Sequence, residues 1–322
     1  MSDIVLIMGY PASGKSTLAK QHSKNRTVFN RDTIGGKVST IPQLIKEAHA
    51  KGERSFLVDN TYPTIKSRAG IIEVGKKLGL PVHCKWMTTS IEDAQYNAVK
   101  RQIERYGKML DPDELKEKGK TDPNMFPPAA QFTYRKLIEG DKKKGIPKQT
   151  PSTDHGFTSV EEVKFVRELD KTKLKHKAII FDLDGTLRTS KAGNKYPIVK
   201  EDIQIIPGTV DKVKKLRADG FKLFALSNQS GVHSGKITYD EVEALCKYTL
   251  EPFGGMWFKF CPHRPMVSCY CRKPMPGVGV ELMEKFGIDP NQTTMVGDMK
   301  SDETFAKRCG FNFEYAERFF SI

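Results

Sequence analysis

Short apolar runs alternate with amphipathic stretches along the whole chain. The runs that suit buried strands are Ile4–Met8, Ser55–Val58, Val82–Met87, Ala178–Phe181, Lys222–Leu226 and Thr293–Val296. Helical stretches lie between them, for example Gly14–Lys24, Pro42–Lys51, Thr209–Asp219 and Val278–Phe286. Alternating strands and helices predict parallel sheets with helices on both faces. The expected fold class is therefore α/β, and we find no internal repeat.

The composition of the chain changes between residues 139 and 176, where turn residues and the lysines of Asp141–Lys144 are concentrated. A length of 322 residues is long for one α/β domain and comfortable for two. We therefore predict a first domain over 1–168, a linker over 169–177 and a second domain over 178–322. The segment Phe157–Phe165 is assigned to the end of the first domain.

Charge and hydropathy limit the classes of protein that need to be considered. Apolar residues make up 38% of the chain, which excludes global disorder, and no apolar run approaches the 18 residues of a membrane span. The acidic N-terminus does not match a signal peptide, so we expect a cytoplasmic protein without a membrane partner. The net charge is +14, and residues 1–150 carry 27 Lys and Arg against 16 Asp and Glu. Such an excess of positive charge attracts polyanions. A soluble surface that happens to be basic, without a polyanionic partner, accounts for the charge equally well.

The first candidate site is a phosphate-binding loop. Residues Gly9–Ser16 read Gly-Tyr-Pro-Ala-Ser-Gly-Lys-Ser and fit the pattern G-x-x-x-x-G-K-[ST] between a predicted strand and a predicted helix. Backbone N–H groups and the helix N-terminus would bind nucleotide phosphates. Lys15 would reach the β- and γ-phosphates, and the Ser16 hydroxyl would bind Mg²⁺. The residues assigned to ATP binding are Gly9, Ser13, Gly14, Lys15, Ser16 and Thr17.

Two aspartates follow further apolar runs in the first domain. Asp32 comes just after Val28-Phe29, and Asp59 ends the run Phe56–Val58. A kinase needs a base that takes the proton of the acceptor hydroxyl, and Asp32 lies at a strand end, where α/β sites assemble. Asp59 would hold Mg²⁺ or its water. Either aspartate could instead cap a helix.

The second candidate site begins where the run Ala178–Phe181 leads into Asp182-Leu-Asp-Gly-Thr-Leu187. This stretch is similar to the first motif of the haloacid-dehalogenase superfamily. The resemblance implies that Asp182 attacks phosphorus while Asp184 protonates the leaving oxygen. Covalent catalysis by an aspartate splits one difficult step into two easier ones. For an isolated pair of carboxylates, helix capping is the alternative.

Further motifs in the second domain follow in the order of the same superfamily, and the resemblance implies a role for each. The Ser227 hydroxyl would bind a phosphoryl oxygen, and Lys273 would neutralise the phosphate and Asp182. Asp298 follows Thr293–Val296 and would complete a Mg²⁺ site with Asp182 and the backbone carbonyl of Asp184. Asp302, four residues further on, would bind this ion through water or brace the lysine.

A third cluster combines cysteines with one histidine. The ligand spacing C-x-H-x₅-C-x-C is formed by Cys261, His263, Cys269 and Cys271. Three thiolates and one imidazole make a closed tetrahedral Zn²⁺ site, which is structural because no position is left for water. The alternative is a loop with unrelated cysteines. The remaining cysteines are assigned to the core; they are Cys84, Cys246 and Cys309.

The first domain resembles the kinase domain of the polynucleotide 5′-kinase/3′-phosphatase family. Beyond the phosphate loop, the matching stretches are Val28–Gly35, Val58–Tyr62, Ser67-Arg68 and Phe132–Lys136. The resemblance implies that Asp32 deprotonates a nucleic-acid 5′-hydroxyl. It also implies that a lid within Asn97–Lys108 supplies an arginine to the transferring phosphoryl group. Arg101 and Arg105 are the candidates, and each could instead form a salt bridge along its own helix.

The kinase resemblance has one departure. The phage form of the family carries an arginine three residues after the base, whereas this chain has Gly35, as the animal form does.

The second domain is similar to the haloacid-dehalogenase superfamily, whose first motif matches Asp182–Leu187. The loop over 261–271, followed by Arg272-Lys-Pro274, resembles the zinc loop of heptose-bisphosphate and histidinol-phosphate phosphatases. The animal and phage polynucleotide phosphatases lack such a loop. The resemblances together imply a P-loop kinase with a parallel sheet, followed by a Rossmann-like phosphatase that uses Mg²⁺ and carries structural Zn²⁺.

These resemblances imply repair of DNA or RNA ends, in which ATP-dependent phosphorylation of 5′-hydroxyls accompanies removal of 3′-phosphates. A nucleic-acid ligase would be a fitting partner. The alternative is a small-molecule kinase joined to a histidinol-phosphate or heptose-bisphosphate type of phosphatase, which the zinc loop favours. A non-catalytic nucleotide-binding scaffold is disfavoured, because every expected acid, base and lysine is present.

Overall fold

The computed structural model describes residues 2–167, 169–265 and 269–321. The chain forms two compact units. One comprises the residues up to 98 together with 115–167, and the other comprises 99–114 together with the residues from 168 onward. Both units contain a parallel sheet, so the α/β class is confirmed. In the part of the chain that the structure describes, no helix is both long and apolar enough to cross a membrane.

The N-terminal unit is built on a parallel sheet. Its strands are β1 (Asp3–Met8), β2 (Thr27–Asn30), β3 (Ser55–Asp59), β4 (Val82–Met87) and β5 (Ser159–Val163). They lie in the order β2-β3-β1-β4-β5. All six residues of β1 are buried, as expected for a central parallel strand that is covered on both faces. Side chains alternate along it, so Ile4 and Leu6 join one hydrophobic cluster while Val5 and Ile7 join another.

Helices connect the strands of this sheet along the chain. They are α1 (Lys15–His22), α2 (Arg31–Ile34), α3 (Ile41–Ala50), α4 (Ile65–Leu78), α5 (Ile91–Tyr106), α6 (Pro112–Lys118) and α7 (Pro128–Glu139). The second half of α5 and the start of α6 belong to the residues that pack with the C-terminal unit.

The C-terminal unit is built on a second five-stranded parallel sheet. The strands of the unit as a whole are β6 (His176–Phe181), β7 (Arg188–Ser190), β8 (Ile203–Ile205), β9 (Lys222–Asn228), β10 (Trp257–Cys261), β11 (Ile288–Gly297) and β12 (Asn312–Tyr315). The sheet order is β10-β9-β6-β11-β12, and β7 and β8 form a separate antiparallel pair. Its helices are α8 (Thr209–Ala218), α9 (Tyr239–Leu250), α10 (Gly277–Phe286), α11 (Lys300–Cys309) and α12 (Ala316–Phe320). The carboxyl ends of β6, β9, β10 and β11 therefore meet at one edge.

The predicted strands and helices named above are all present, most of them with shifted ends, while Val82–Met87 matches β4 at both ends. The helix predicted over Gly14–Lys24 begins at Lys15, because Gly14 has a left-handed φ of 93° and acts as the N-cap. The strand predicted over Thr293–Val296 extends back to Ile288 as part of β11. Strand β10 was not predicted from the sequence. It is a partly exposed edge strand with a central lysine, Lys259, so its apolar signal is weak.

Candidate active sites

The phosphate loop Gly9–Ser16 joins β1 to α1 and depends on two glycines. Gly9 and Gly14 have φ angles of 155° and 93°, which side chains other than hydrogen disfavour. A Cβ added to Gly9 would lie 2.7 Å from the Cβ of Met87. The glycines therefore let the loop make its sharp turn in close contact with the end of β4.

Three successive carbonyl groups of the loop are anchored by side chains from distant elements. Hydrogen bonds run from Gln131 Nε2 to the Pro11 carbonyl, from Asn97 Nδ2 to the Ala12 carbonyl and from Thr89 Oγ1 to the Ser13 carbonyl, at 3.1, 3.0 and 2.8 Å. The Ser13 side chain is buried, and its hydroxyl has no hydrogen-bond partner among the described residues. Thr17 lies in the first turn of α1. The shape of the loop is thus fixed from outside, which leaves its interior for a phosphate.

A serine and an aspartate meet beside the loop. Ser16 Oγ donates a hydrogen bond of 3.1 Å to Asp59 Oδ2, which also accepts one of 2.9 Å from Asn30 Nδ2. Asp59 is only 2% exposed, and burial raises its pKa against the opposing charge of Lys15. Its other oxygen, Oδ1, has no hydrogen-bond partner within the described chain. Lys15 Nζ donates to the Tyr10 carbonyl at 2.7 Å. A buried carboxylate oxygen beside a hydroxyl suits Mg²⁺, which prefers oxygen ligands.

Asp32 is an exposed residue at the start of α2, just beyond the carboxyl end of β2. The helix is capped by Asn30, whose side chain accepts a hydrogen bond of 2.8 Å from the Asp32 backbone N–H. The Asp32 carboxylate lies 2.7 Å from the guanidinium of Arg31. The capping alternative is therefore wrong for the side chain of Asp32. Its assignment as a base stays a prediction.

The two candidate lid arginines lie on α5 within residues 99–114, which pack with the C-terminal unit. Within these residues, Arg101 lies close enough to Tyr270 to affect its charge. Burial raises the pKa of the Tyr270 phenol, and the positive charge of Arg101 opposes this rise. A role of Arg101 or Arg105 at a transferring phosphoryl group stays a prediction.

The second site centres on a buried ion-pair network in the C-terminal unit. Lys273 is 4% exposed, and its Nζ lies 2.5 Å from Asp182 Oδ1 and 2.7 Å from Asp302 Oδ1. It also donates to the Leu226 carbonyl at 3.0 Å. Burial would lower the pKa of Lys273, but the two carboxylates outweigh burial and raise it. The lysine therefore stays charged beside Asp182, as its predicted role requires, and Asp302 braces it.

Asp184 is held by hydrogen bonds on both of its carboxylate oxygens. Arg188 Nε donates to Oδ1 at 2.8 Å, and Gln229 Nε2 donates to Oδ2 at 2.7 Å. Ser227 Oγ also lies near Oδ2, at 3.4 Å. The predicted proton donor and the predicted phosphoryl-binding hydroxyl are thus adjacent. The structure adds Arg188 and Gln229, which the sequence argument did not single out.

Three carboxylates of this site could share a metal ion. Oxygens of Asp182, Asp298 and Asp302 all lie within 4.8 Å of one another. Burial raises the pKa of Asp182 and of Asp298, and the Asp302 carboxylate adds to both shifts. A divalent cation would relieve this repulsion, and carboxylates are ligands that Mg²⁺ accepts. A Cβ on Gly185, whose φ is 81°, would lie 2.4 Å from Asp298 Oδ2, so glycine is required for this approach.

The four residues of the Cys/His cluster come together at the carboxyl end of β10. One ligand atom from each of them lies within 4.8 Å of the others; the residues are Cys261, His263, Cys269 and Cys271. The Cys261 and Cys269 sulfurs are 3.8 Å apart, and His263 Nδ1 lies 3.3 Å from the Cys271 sulfur. A tetrahedron with Zn–S bonds of about 2.3 Å has S···S edges of about 3.8 Å. The cluster therefore fits a metal ion.

The cluster is tied to Lys273 through the backbone. Asn228 Nδ2 donates to the Lys273 carbonyl at 2.9 Å, and the Lys273 N–H donates to Asn228 Oδ1 at 3.0 Å. Between the cluster and the lysine, Arg272 Nη1 donates to the His263 carbonyl at 2.9 Å. Because Cys271 is only two residues from Lys273, the geometry of the cluster sets the path of the chain into the second site.

Residues 177–320 match the family model described as polynucleotide kinase 3 phosphatase. The chain is 33% identical over 133 residues to D-glycero-beta-D-manno-heptose-1,7-bisphosphate 7-phosphatase from Helicobacter pylori, a match that covers 39% of this chain and 75% of that protein. It is 31% identical over 165 residues to a bifunctional polynucleotide phosphatase/kinase from Schizosaccharomyces pombe, covering 51% of this chain and 34% of that protein.

Among solved structures, a chain of the Pnkp1/Rnl/Hen1 RNA repair complex aligns with 97% of this chain and 95% of its own length. The sequence identity is 16% and the TM-score is 0.31. Through its C-terminal unit, the chain belongs to the haloacid-dehalogenase-type phosphatases that include polynucleotide 3′-phosphatases and heptose-bisphosphate 7-phosphatases.

Proposed function

We propose that this protein repairs nucleic-acid ends by two reactions, ATP-dependent phosphorylation of 5′-hydroxyls and hydrolysis of 3′-phosphates. The supporting observation is that one chain combines a phosphatase unit of the polynucleotide kinase 3 phosphatase family with a phosphate loop that has Ser16 and Asp59 beside it. The joint product is an end with a 5′-phosphate and a 3′-hydroxyl, which a ligase can join.

In the proposed phosphatase reaction, Asp182 attacks the phosphorus of the 3′-phosphate while Asp184 passes a proton to the leaving 3′-oxygen. Ser227 binds a phosphoryl oxygen, and Lys273 keeps Asp182 ionised and balances the phosphate charge. Water then hydrolyses the aspartyl phosphate, with Asp184 acting as the base. Asp182, Asp298 and the carbonyl of Asp184 would hold Mg²⁺, which when bound would supply charge neutralisation at the phosphate.

In the proposed kinase reaction, the backbone of the phosphate loop and Lys15 bind the phosphates of ATP. Asp32 takes the proton of the 5′-hydroxyl, and an arginine of α5, Arg101 or Arg105, neutralises charge on the transferring group. Ser16 and Asp59 are the proposed ligands of the Mg²⁺ that accompanies ATP. Catalysis then consists of positioning and charge stabilisation, as phosphoryl transfer generally requires.

A second candidate function, hydrolysis of a heptose or histidinol phosphate, is favoured by the heptose-bisphosphate phosphatase relatives and by the Cys/His cluster. We expect a 3′-phosphorylated oligonucleotide to exceed both metabolites in kcat/KM by more than about tenfold, because remote contacts position the reacting phosphate. Tenfold corresponds to about 1.4 kcal/mol of transition-state stabilisation. Steady-state kinetics on the three substrates test this. A tenfold preference for a metabolite would instead assign the phosphatase unit to small-molecule chemistry.

We propose that the Cys/His cluster holds one structural Zn²⁺ per chain. Replacing Cys269 with serine is expected to reduce zinc to near zero and to lower the melting temperature of the C-terminal unit by roughly 10 °C or more, because metal binding contributes directly to folding. Mass-spectrometric metal analysis and calorimetry measure both effects. Cys309→Ser is the matched control, since Cys309 is buried in the same unit outside the cluster. Folded, active wild-type protein without zinc would contradict the assignment.

A further inference from the structure

A buried arginine, Arg188, lies beside Asp184 and has no role in the proposed reactions. Arg188 is 1% exposed. Burying a guanidinium is costly unless it is paired, and its carboxylate contact is Asp184, at 2.8 Å. It is also fixed from the other side, because Nη1 donates to Thr249 Oγ1 at 2.9 Å and to the Leu245 carbonyl at 3.4 Å.

The local fold explains why residue 188 reaches Asp184. The chain after β6 folds back on itself, since the Leu187 and Arg188 N–H groups both donate to the Leu183 carbonyl, at 2.9 and 3.0 Å. The Gly185 N–H donates to the Arg188 carbonyl at 2.8 Å. This turn brings the start of β7 beside the carboxylate. Arg188 is therefore held by backbone and by α9, and its position does not depend on substrate.

The contacts of Asp184 are divided between its two oxygens. Oδ1 accepts from the charged, buried guanidinium of Arg188. Oδ2 accepts from the neutral amide of Gln229 at 2.7 Å and lies 3.4 Å from the Ser227 hydroxyl, the proposed phosphoryl-binding group. With Oδ1 occupied by a permanently charged donor, Oδ2 is the oxygen that can carry a proton toward the substrate. A free carboxylate could rotate about χ2 and present either oxygen.

We infer that Arg188 is a positioning residue that locks the Asp184 carboxylate so that Oδ2 faces the leaving group. In the first step, the bond from Asp182 to phosphorus forms, the bond from phosphorus to the ester oxygen breaks, and the proton on Asp184 Oδ2 moves to that oxygen. Arg188 takes no part in bond making. The inference rests on the proposed phosphatase reaction, in which Asp184 is the proton donor.

A leaving-group comparison separates this role from a merely structural one. The alkoxide that leaves from an alkyl phosphate needs a proton, whereas p-nitrophenolate is stable enough to leave without one. General acid catalysis contributes about 10²–10⁴-fold where it is needed. We expect Arg188→Met to lower kcat on glycerol phosphate and on a 3′-phosphorylated oligonucleotide by about tenfold or more, because general acid catalysis is partly lost. Activity on p-nitrophenyl phosphate should change less than about threefold, because its leaving group does not need general acid catalysis.

Matched variants sharpen the test. Asp184→Asn should show the same selectivity more strongly, and Arg188→Lys should recover part of the lost rate, since it keeps the charge without the planar Nε geometry. Thr249→Val should give a smaller loss in the same direction. Arg217→Met, at an arginine that instead contacts the backbone carbonyl of Phe253, should leave both rates unchanged.

The outcomes distinguish the inference from the reaction on which it rests. If Arg188→Met slows all esters equally, or leaves the alkyl esters unaffected, Arg188 does not position the proton donor. If Asp184→Asn slows all esters equally, Asp184 is not the donor, and the inference is overturned together with that assignment. If the alkyl selectivity appears on glycerol phosphate while the oligonucleotide is not hydrolysed, the inference stands and the polynucleotide substrate is wrong.

Discussion

Replacement of Asp182 with asparagine is expected to lower 3′-phosphatase activity by at least about a thousandfold, because removing a covalent nucleophile removes the reaction path itself. Asparagine has nearly the same shape, and Lys273 keeps its second carboxylate partner, Asp302, at 2.7 Å. The unit should therefore remain folded. Release of inorganic phosphate from a 3′-phosphorylated oligonucleotide measures the loss.

The same Asp182→Asn protein provides its own control in the other reaction. Phosphorylation of 5′-hydroxyl ends should stay within a few-fold of wild type, since the phosphate loop lies in a different sheet. Phosphatase activity above about a tenth of the wild-type rate would show that another group is the nucleophile.

The largest effect expected in the N-terminal unit is on Lys15. Lys15→Ala should reduce 5′-kinase activity by about 10²–10³-fold, the usual range for removing one preorganised charge-stabilising group. Lys15 is half-buried rather than part of the core, and its Nζ donates to the Tyr10 carbonyl of the same loop, so we expect truncation to leave the fold intact. Transfer of labelled γ-phosphate from ATP to a 5′-hydroxyl oligonucleotide is the measurement.

Lys20→Ala is the matched control for that prediction. Lys20 is an exposed residue of the same helix, α1, and lies outside the loop. It should retain kinase activity within a few-fold, and Lys15→Ala should retain full 3′-phosphatase activity. Equal losses in both variants would mean that the effect is one of net charge rather than of phosphate binding at the loop.

Much of the fold could be predicted from the sequence because parallel strands buried on both faces are continuous apolar runs. The run Ile4–Met8 is such a case, and β1 is buried throughout. Strand β10 was missed for the opposite reason, since it is a partly exposed edge strand with Lys259 at its centre. The place of residues 99–114 was also not predictable, because packing with a unit distant in sequence leaves no local pattern.

The candidate sites were predictable where the chemistry requires a fixed spacing. Asp182 and Asp184 share one strand end, and the Cys/His ligands share one loop, so their grouping follows from local sequence. Contacts that depend on how elements pack were not visible. Nothing in the local sequence distinguishes Arg188 from an arginine in an exposed turn. Its burial against Asp184 depends on Thr249, which is 61 residues further along the chain. The same applies to the contact between Ser16 and Asp59, which lie 43 residues apart.

The central claim is that one chain completes both ends of a nucleic-acid break. The most direct measurement is a single reaction of the wild-type protein with ATP, Mg²⁺ and an oligonucleotide that carries a 5′-hydroxyl and a 3′-phosphate, with both ends followed by mass spectrometry. We predict a gain of one phosphate at the 5′ end and a loss of one phosphate at the 3′ end. The proposed function would be contradicted if both ends of the oligonucleotide stayed unchanged while the same protein hydrolysed a heptose or histidinol phosphate.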